Sequence, residues 1–269
     1  MIKIASIVPH SPILIPSIGK QNTGVLKKTV EAINTLKKKI AKEKIDTIII
    51  ISPHQKENTD ISLNNHFNFN INFREFGDYS SRIFLTGDLA LAYHLKESAE
   101  PEFQVALKAK STPDHGSNIP LYLLLSENNQ IIKDFKGKVI IINTSKSQDL
   151  KYHYDFGEKI SFRLKNSSKN IAVIASGELS HCLSPNAPGG FFHKANFFDD
   201  KTIEHLKKGE SGVNDLLATN VKLATEAKEC GLRPIAVLLG IISSLDYKPS
   251  TLSYQKDLGI GYLTMDMNL

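Results

Sequence analysis

Short, nearly unbroken apolar runs alternate along the chain with longer stretches in which apolar residues return every third or fourth position. Residues 2–8, Ile48-Ile49-Ile50-Ile51, Val139-Ile140-Ile141-Ile142 and the Ile/Val/Ala run 170–176 are strand-sized. Strands apolar on both faces belong inside a parallel sheet covered by helices. Leu26, Val30, Ile33, Leu36 and Ile40 instead recur at helical spacing. The pattern predicts strands at 2–8, 46–52, 138–143 and 170–176. One or two more fall in the looser alternation of 60–73, and a strand or hairpin over 253–266 closes the chain. Helices are predicted at 23–43, 87–100, 117–128, 154–164, 199–207, 213–229 and 234–245. Strands alternating with helices give an α/β class with a largely parallel central sheet. No repeat, linker or compositional shift divides the chain, so one domain, 1–269, is expected.

Composition narrows this only slightly. With 41% hydrophobic and 23% charged residues, 16 Gly and 11 Pro, disordered, collagen-like and coiled-coil classes are excluded. The apolar runs are far shorter than the roughly 20 residues that span a bilayer, so no membrane segment is expected. The N-terminus reads as a first strand, not a signal peptide. The net charge of +5 comes mostly from lysines, densest between Lys27 and Lys44, on the solvated face of the predicted first helix. Arginine and interleaved aromatics are too sparse there for nucleic acid as the primary partner. Two cysteines make no disulfide framework, and a cytoplasmic location is the expectation.

The nine histidines carry the candidate chemistry. His10 follows the first predicted strand in Val8-Pro9-His10-Ser11-Pro12, and His54 follows the second in Ser52-Pro53-His54. His181 follows the strand 170–176 in Ser176-Gly177-Glu178-Leu179-Ser180-His181. His115 lies in Asp114-His115-Gly116, just ahead of a predicted helix. In open α/β sheets, ligands bind beyond the carboxyl ends of the strands, so parallel strands would gather these four on one rim. Converging imidazoles make a metal site the leading reading. A third ligand is expected from Glu178, Glu229 or Cys230, the last two in Glu229-Cys230-Gly231-Leu232-Arg233-Pro234. His66, His94, His153 and His205 read as surface or packing residues. His193, in a loop with Gly189, Gly190, Phe191 and Phe192, is a candidate pocket wall beside Glu178. There is no P-loop, no paired Cys-x-x-Cys, no Gly-x-Ser-x-Gly elbow, and Gly259-Ile260-Gly261 is no dinucleotide fingerprint.

Five ordered motifs resemble one family: Val-Pro-His-Ser-Pro at 8–12, Ser-Pro-His at 52–54, Asp-His-Gly at 114–116, Ser-Gly-Glu-Leu-Ser-His at 176–181 and Glu-Cys-Gly-Leu-Arg-Pro at 229–234. Together the sequence is similar to the LigB-like family of class III extradiol ring-cleavage dioxygenases, and more closely to its branch in the AmmeMemoRadiSam system and to Memo-like proteins. The resemblance implies a three-layer α/β fold with a divalent metal at the strand ends, Fe(II) first. It implies opening of a catechol-type ring, with a small aromatic substrate and O2. It maps metal ligands onto His10 and His54, with Cys230, and Glu229 beside it, at the third place; His181 becomes the acid–base residue and His115 a second pocket histidine. Two departures follow. Glu178 stands where the family has Asp, and a thiol at the third place suits zinc or copper better than ferrous iron. The alternatives are a metal-binding protein without oxygenase activity, acting with a radical-SAM partner, or a zinc hydrolase. A homo-oligomer is allowed for.

Overall fold

A computed structural model describes residues 1–54, 60–133 and 135–269. In chain order the strands are β1 (Ile2–Val8), β2 (Thr47–Ser52), β3 (Ile61–Asn64), β4 (Asn68–Phe73), β5 (Asp78–Thr86), β6 (Val105–Lys108), β7 (Ser126–Glu127), β8 (Gln130–Ile131), β9 (Lys138–Asn143), β10 (Ile171–Ser176), β11 (Ser250–Gln255) and β12 (Tyr262–Asp266). The helices are α1 (Pro16–Gly19), α2 (Lys27–Lys42), α3 (Leu89–Ala99), α4 (His115–Leu125), α5 (Leu150–Lys165), α6 (Ala195–Lys207), α7 (Val213–Leu217), α8 (Val221–Ala227) and α9 (Leu232–Ile242).

Eight strands form one sheet in the order β11-β12-β1-β10-β2-β9-β3-β6. Its centre, β1-β10-β2-β9, is parallel, while β12, β11 and the β3–β9 pairing are antiparallel. Side chains alternate across each strand, and this divides the apolar residues into two cores. Ile49, Ile51, Val173 and Ala175 point towards α3, α5, α6 and α9. Ile48, Ile50, Ala172 and Ile174 point towards α2, α4 and the β4–β5 ribbon. The result is the expected three-layer α/β arrangement.

Several boundaries differ from the sequence pattern for local reasons. The span 213–229 is two short helices, because Asn220 adopts an extended conformation and caps α8 through Leu223 N. Helix α5 starts four residues early, where Asp149 accepts from Lys151 N and Tyr152 N. Residues 253–266 are a hairpin, β11 paired antiparallel with β12. Strand β5 alternates buried and exposed positions and pairs with β4; its polar residues hide it from a search for apolar runs. Both cysteines are free thiols. Among the described residues, no helix is long and apolar enough to cross a membrane.

Register positions the site. Val8 pairs with Ser176, Ala175 with Ile51, and Ser52 with Asn143. The segments that follow β1, β2 and β10 therefore leave the sheet at one edge.

Candidate metal centre

Four backbone segments bring the candidate ligands together. His10 lies two residues past β1 and is 3% exposed, and His54 lies two residues past β2, half-buried. His115 opens α4 directly after Asp114, whose side chain caps that helix through Ser117 N. Glu178, in the loop after β10, meets the corner between α8 and α9. There Glu178 O accepts from Cys230 N at 3.3 Å and Gly231 N at 2.9 Å, and Glu178 N donates to Cys230 Sγ at 3.3 Å. This approach requires glycine on both sides: a Cβ on Gly177 would sit 2.3 Å from Gly231 Cα.

The side chains converge around His10 Nε2. Glu178 Oε2 is 2.9 Å away, His54 Nε2 3.0 Å and Cys230 Sγ 3.6 Å, with Cys230 Sγ 3.5 Å from Glu178 Oε2. Ligand atoms of His10, His54 and His115 lie within 4.8 Å of one another, as do those of His10, Glu178 and Cys230. His181 stands at the margin, its Nε2 4.0 Å from Glu178 Oε2 and its side chain 24% exposed.

A proline fixes how His10 presents itself. Pro120, inside α4, has no N–H to give to Gly116 O four residues back. That carbonyl instead accepts the Ser176 hydroxyl at 2.5 Å. With its only proton committed there, Ser176 Oγ must accept at its 2.8 Å contact with His10 Nδ1. His10 Nδ1 therefore carries a proton, and Nε2 faces the cluster. On the other side, Asp114 Oδ1 accepts from Ser52 Oγ at 2.5 Å, and Asp114 Oδ2 from Asn143 Nδ2 at 2.9 Å. Asn143 Nδ2 also donates to His54 O at 2.8 Å. The His10 ring is thus held from behind, as metal-binding imidazoles usually are, while His54 is fixed through its backbone carbonyl.

Residues 4–263 match the family model of the catalytic LigB subunit of aromatic ring-opening dioxygenase. The chain belongs to this family. It is also similar to Protein CA_C1420 of Clostridium acetobutylicum, 29% identical over 97% of this chain. The chain spans about half the length of that curated relative, 56%. Among solved structures it resembles the uncharacterized protein JW3007 from Escherichia coli K12. That likeness has a TM-score of 0.62 and covers 98% of this chain and 99% of the other, at 16% identity. At that identity it speaks for the fold alone.

The electrostatics of this LigB-family centre favour a cation. Burial, then the charges of His10 and His115, lower the His54 pKa to about 3. Burial first, and His10 second, also lower that of His115. Burial pushes the Glu178 carboxyl up, but the His10 charge and hydrogen bonds outweigh it and bring it down to about 2. The Cys230 thiol is pushed well up by burial and by the Glu178 charge. Two imidazoles whose charged form is disfavoured (His54 and His115), the Nε2 of His10, an ionised carboxylate and a thiol aimed at one point are a donor set that fits a divalent metal, which would reverse the pressure on the thiol.

Two sequence-derived candidates are not brought into this group. Glu229 turns away and accepts from Leu232 N at 2.7 Å, and burial raises its carboxyl to about 7. His193 is exposed and packs edge-on against Phe192. Conversely, Ser176, Asp114 and Asn143 escaped the sequence reading. Ser52, Asn143 and Ser176 are the polar residues that close β2, β9 and β10, a position that does not show what each one touches.

Proposed function

We propose that this protein opens a catechol-type aromatic ring in an Fe(II)- and O2-dependent reaction, with His10, His54 and Glu178 as the metal ligands. The observation that carries it is the meeting of two imidazole Nε2 atoms and one ionised carboxylate oxygen around a single point. Two histidines and a carboxylate are the set that leaves open positions on ferrous iron for a chelating catecholate and O2. One methylene longer than Asp, Glu178 supplies the carboxylate that Cys230 does not.

The chain's own residues do the rest. His54 and His115 line a cavity beside the centre, and Phe76 packs edge-on against His115 with ring centroids 5.8 Å apart. The His54 and His115 rings orient an aromatic substrate, with Phe76 bracing His115. His181 takes up a hydroxyl proton at Nε2, and the Glu178 carboxylate 4.0 Å away stabilises the imidazolium.

Cys230 Sγ, 3.6 Å from His10 Nε2, favours a second reading. A soft thiolate ligand suits zinc or copper, and with it a metal-binding protein that works with a radical-SAM partner and has no oxygenase activity. Metal analysis of protein purified without added metal, then anaerobic Fe(II) loading and oxygen uptake with a panel of catechols, separates them. One iron per chain with catechol-dependent oxygen uptake is the expected result. Zinc or copper with no uptake after iron loading would select the second reading.

A further inference from the structure

A second cavity is lined by residues of α1, α2, β5 and the end of α4. It holds about 460 Å³, within the range of small-ligand pockets, over a floor of Leu14, Val30, Ile33 and Leu123. His10, His54, His115, Glu178 and Cys230 do not line it. Four of its hydroxyls have already committed their protons. Ser17 Oγ donates to Asp78 Oδ2 at 2.5 Å, and Ser80 Oγ to Asp78 Oδ1 at 2.8 Å. Thr23 Oγ1 donates to Ile13 O at 3.0 Å, and Ser126 Oγ to Tyr122 O at 2.7 Å. None of these acceptors has a proton to give back, since two are carbonyls and Asp78 is ionised. Burial pushes the Asp78 carboxyl up, but hydrogen bonds from Ser17, Ser81 and Ser80 outweigh it and hold it well below the usual range. A hydroxyl has one donor and two lone pairs. What these four have left for a ligand is therefore lone pairs.

We propose that this cavity binds an uncharged amide-type ligand, with N–H donors and a carbonyl acceptor side by side on an apolar body. The N–H groups meet the hydroxyl oxygens. The carbonyl meets Lys37, whose ammonium has given one of its three protons to Ser126 O at 2.8 Å. Asn34, Asn128 and Asn129, at the exposed rim, suit either end of an amide. Among the described residues, Lys37 is the only charged side chain on the lining. The Asp78 carboxylate, bonded to Ser17 and Ser80, carries the opposite sign, so the pair calls for no net charge on the ligand. An anion would bring acceptors alone to oxygens that lack donors. The proposal is independent of the ring-opening reaction, because it uses no residue of the metal centre.

The test is titration of the isotopically labelled full chain with benzamide, acetophenone and benzoate, followed by backbone amide shifts in NMR. The three probes share one shape. Benzamide has N–H donors and a carbonyl; acetophenone puts a methyl, and benzoate a charged oxygen, where the amide nitrogen stands. Benzamide is expected to bind about tenfold tighter than either, the size of one hydrogen bond. Its shifts should fall at residues 14–37, 80–81 and 122–129. A cavity that only buries apolar surface would take acetophenone as well or better, and that result would overturn the proposal. So would benzoate binding as tightly as benzamide, no benzamide binding at millimolar concentration, or shifts confined to the metal centre. Ser17→Ala/Ser80→Ala, at two exposed positions, should bring benzamide down to the level of acetophenone. An unchanged ratio would place its donors elsewhere and overturn the proposal as well. His10→Ala should leave benzamide binding as in the wild type, and a loss there would move the ligand to the metal. Absence of oxygen uptake with any catechol would leave these binding results standing, so the two readings fail separately.

Discussion

Ser176 touches two partners but has one hydroxyl proton, and Pro120 decides where that proton goes. By leaving Gly116 O without its helical donor, the proline turns the serine into an acceptor for His10 Nδ1–H. Ser176→Ala should therefore lower metal affinity about 10- to 100-fold, the usual effect of removing such a support. Pro120→Ala restores an N–H that competes for Gly116 O and should lower it less. Chelator competition measures both; wild-type affinity in Ser176→Ala would show that His10 is oriented some other way. The ligands themselves divide by charge. Glu178→Gln keeps the shape of the buried side chain but removes its charge, so iron loading should fall at least as far. Cys230→Ser should spare iron and weaken zinc or copper; elemental analysis after competitive loading reads the difference. A Cys230→Ser variant that lost iron as fully as Glu178→Gln would give the thiol the third ligand place.

At the scale of elements, two glycines let α5 and α9 pack backbone to backbone on one side of the sheet. A Cβ on Gly157 of α5 would lie 2.1 Å from Val237 O, and one on Gly240 of α9 2.0 Å from Tyr154 O. Both obstacles are backbone, which cannot swing aside. Gly240→Ala would ordinarily favour a helix, yet here it should destabilise by about 1–3 kcal/mol through overpacking. A lower midpoint in urea at unchanged slope would confirm it; an unchanged midpoint would mean that α5 and α9 can separate freely. The α9 start carries Arg233 and follows Cys230, so this packing also fixes the corner that meets Glu178. Such contacts were not legible in the sequence, because a glycine at a helix crossing looks like any helix-interior glycine. The buried strands were legible, since Ile48–Ile51 or Ile171–Ala175 have no other way to hide apolar side chains on both faces. His10, His54, His115 and His181 were legible because strand ends are marked by proline and glycine. The partners behind them were not: Ser176 and Asn143 are single polar residues whose role depends on register between strands distant in sequence. Nor did spacing place Glu178 ahead of Glu229, which are both acids in turns; only the Gly177–Gly231 contact puts one inside and turns the other away.

For the whole molecule, stability against pH is shaped by buried carboxyls, and Asp199 is where three parts of the fold meet. On α6 and fully buried, it accepts from Ser180 N at 2.9 Å in the loop bearing His181, and from the Tyr254 hydroxyl at 2.7 Å on β11. A Cβ on Gly261, in the β11–β12 turn, would lie 2.1 Å from its Oδ2, so no room remains for water there. Burial raises its carboxyl from 3.8 to about 7, with the Tyr254 and Ser180 bonds opposing the rise. Below the unfolded value both states hold the proton and the group contributes nothing to the pH dependence. Between 3.8 and about 7 the unfolded chain loses its proton first, so stability falls as pH rises. Above that window both states are ionised and the penalty is constant, at most a few kcal/mol at ~1.4 kcal/mol per pH unit. Asp78, Asp88 and Glu178 act in the opposite sense, since their lowered values make their contribution vanish as pH falls into the acid range. Asp199→Asn keeps an acceptor for Ser180 N and cannot ionise. Its melting temperature, measured on metal-free protein, should gain on the wild type steadily from pH 4 to 7 and then run parallel to it. A difference between the two curves that is the same at every pH would mean that Asp199 does not titrate in the fold, and that Tyr254 and Ser180 hold it ionised throughout.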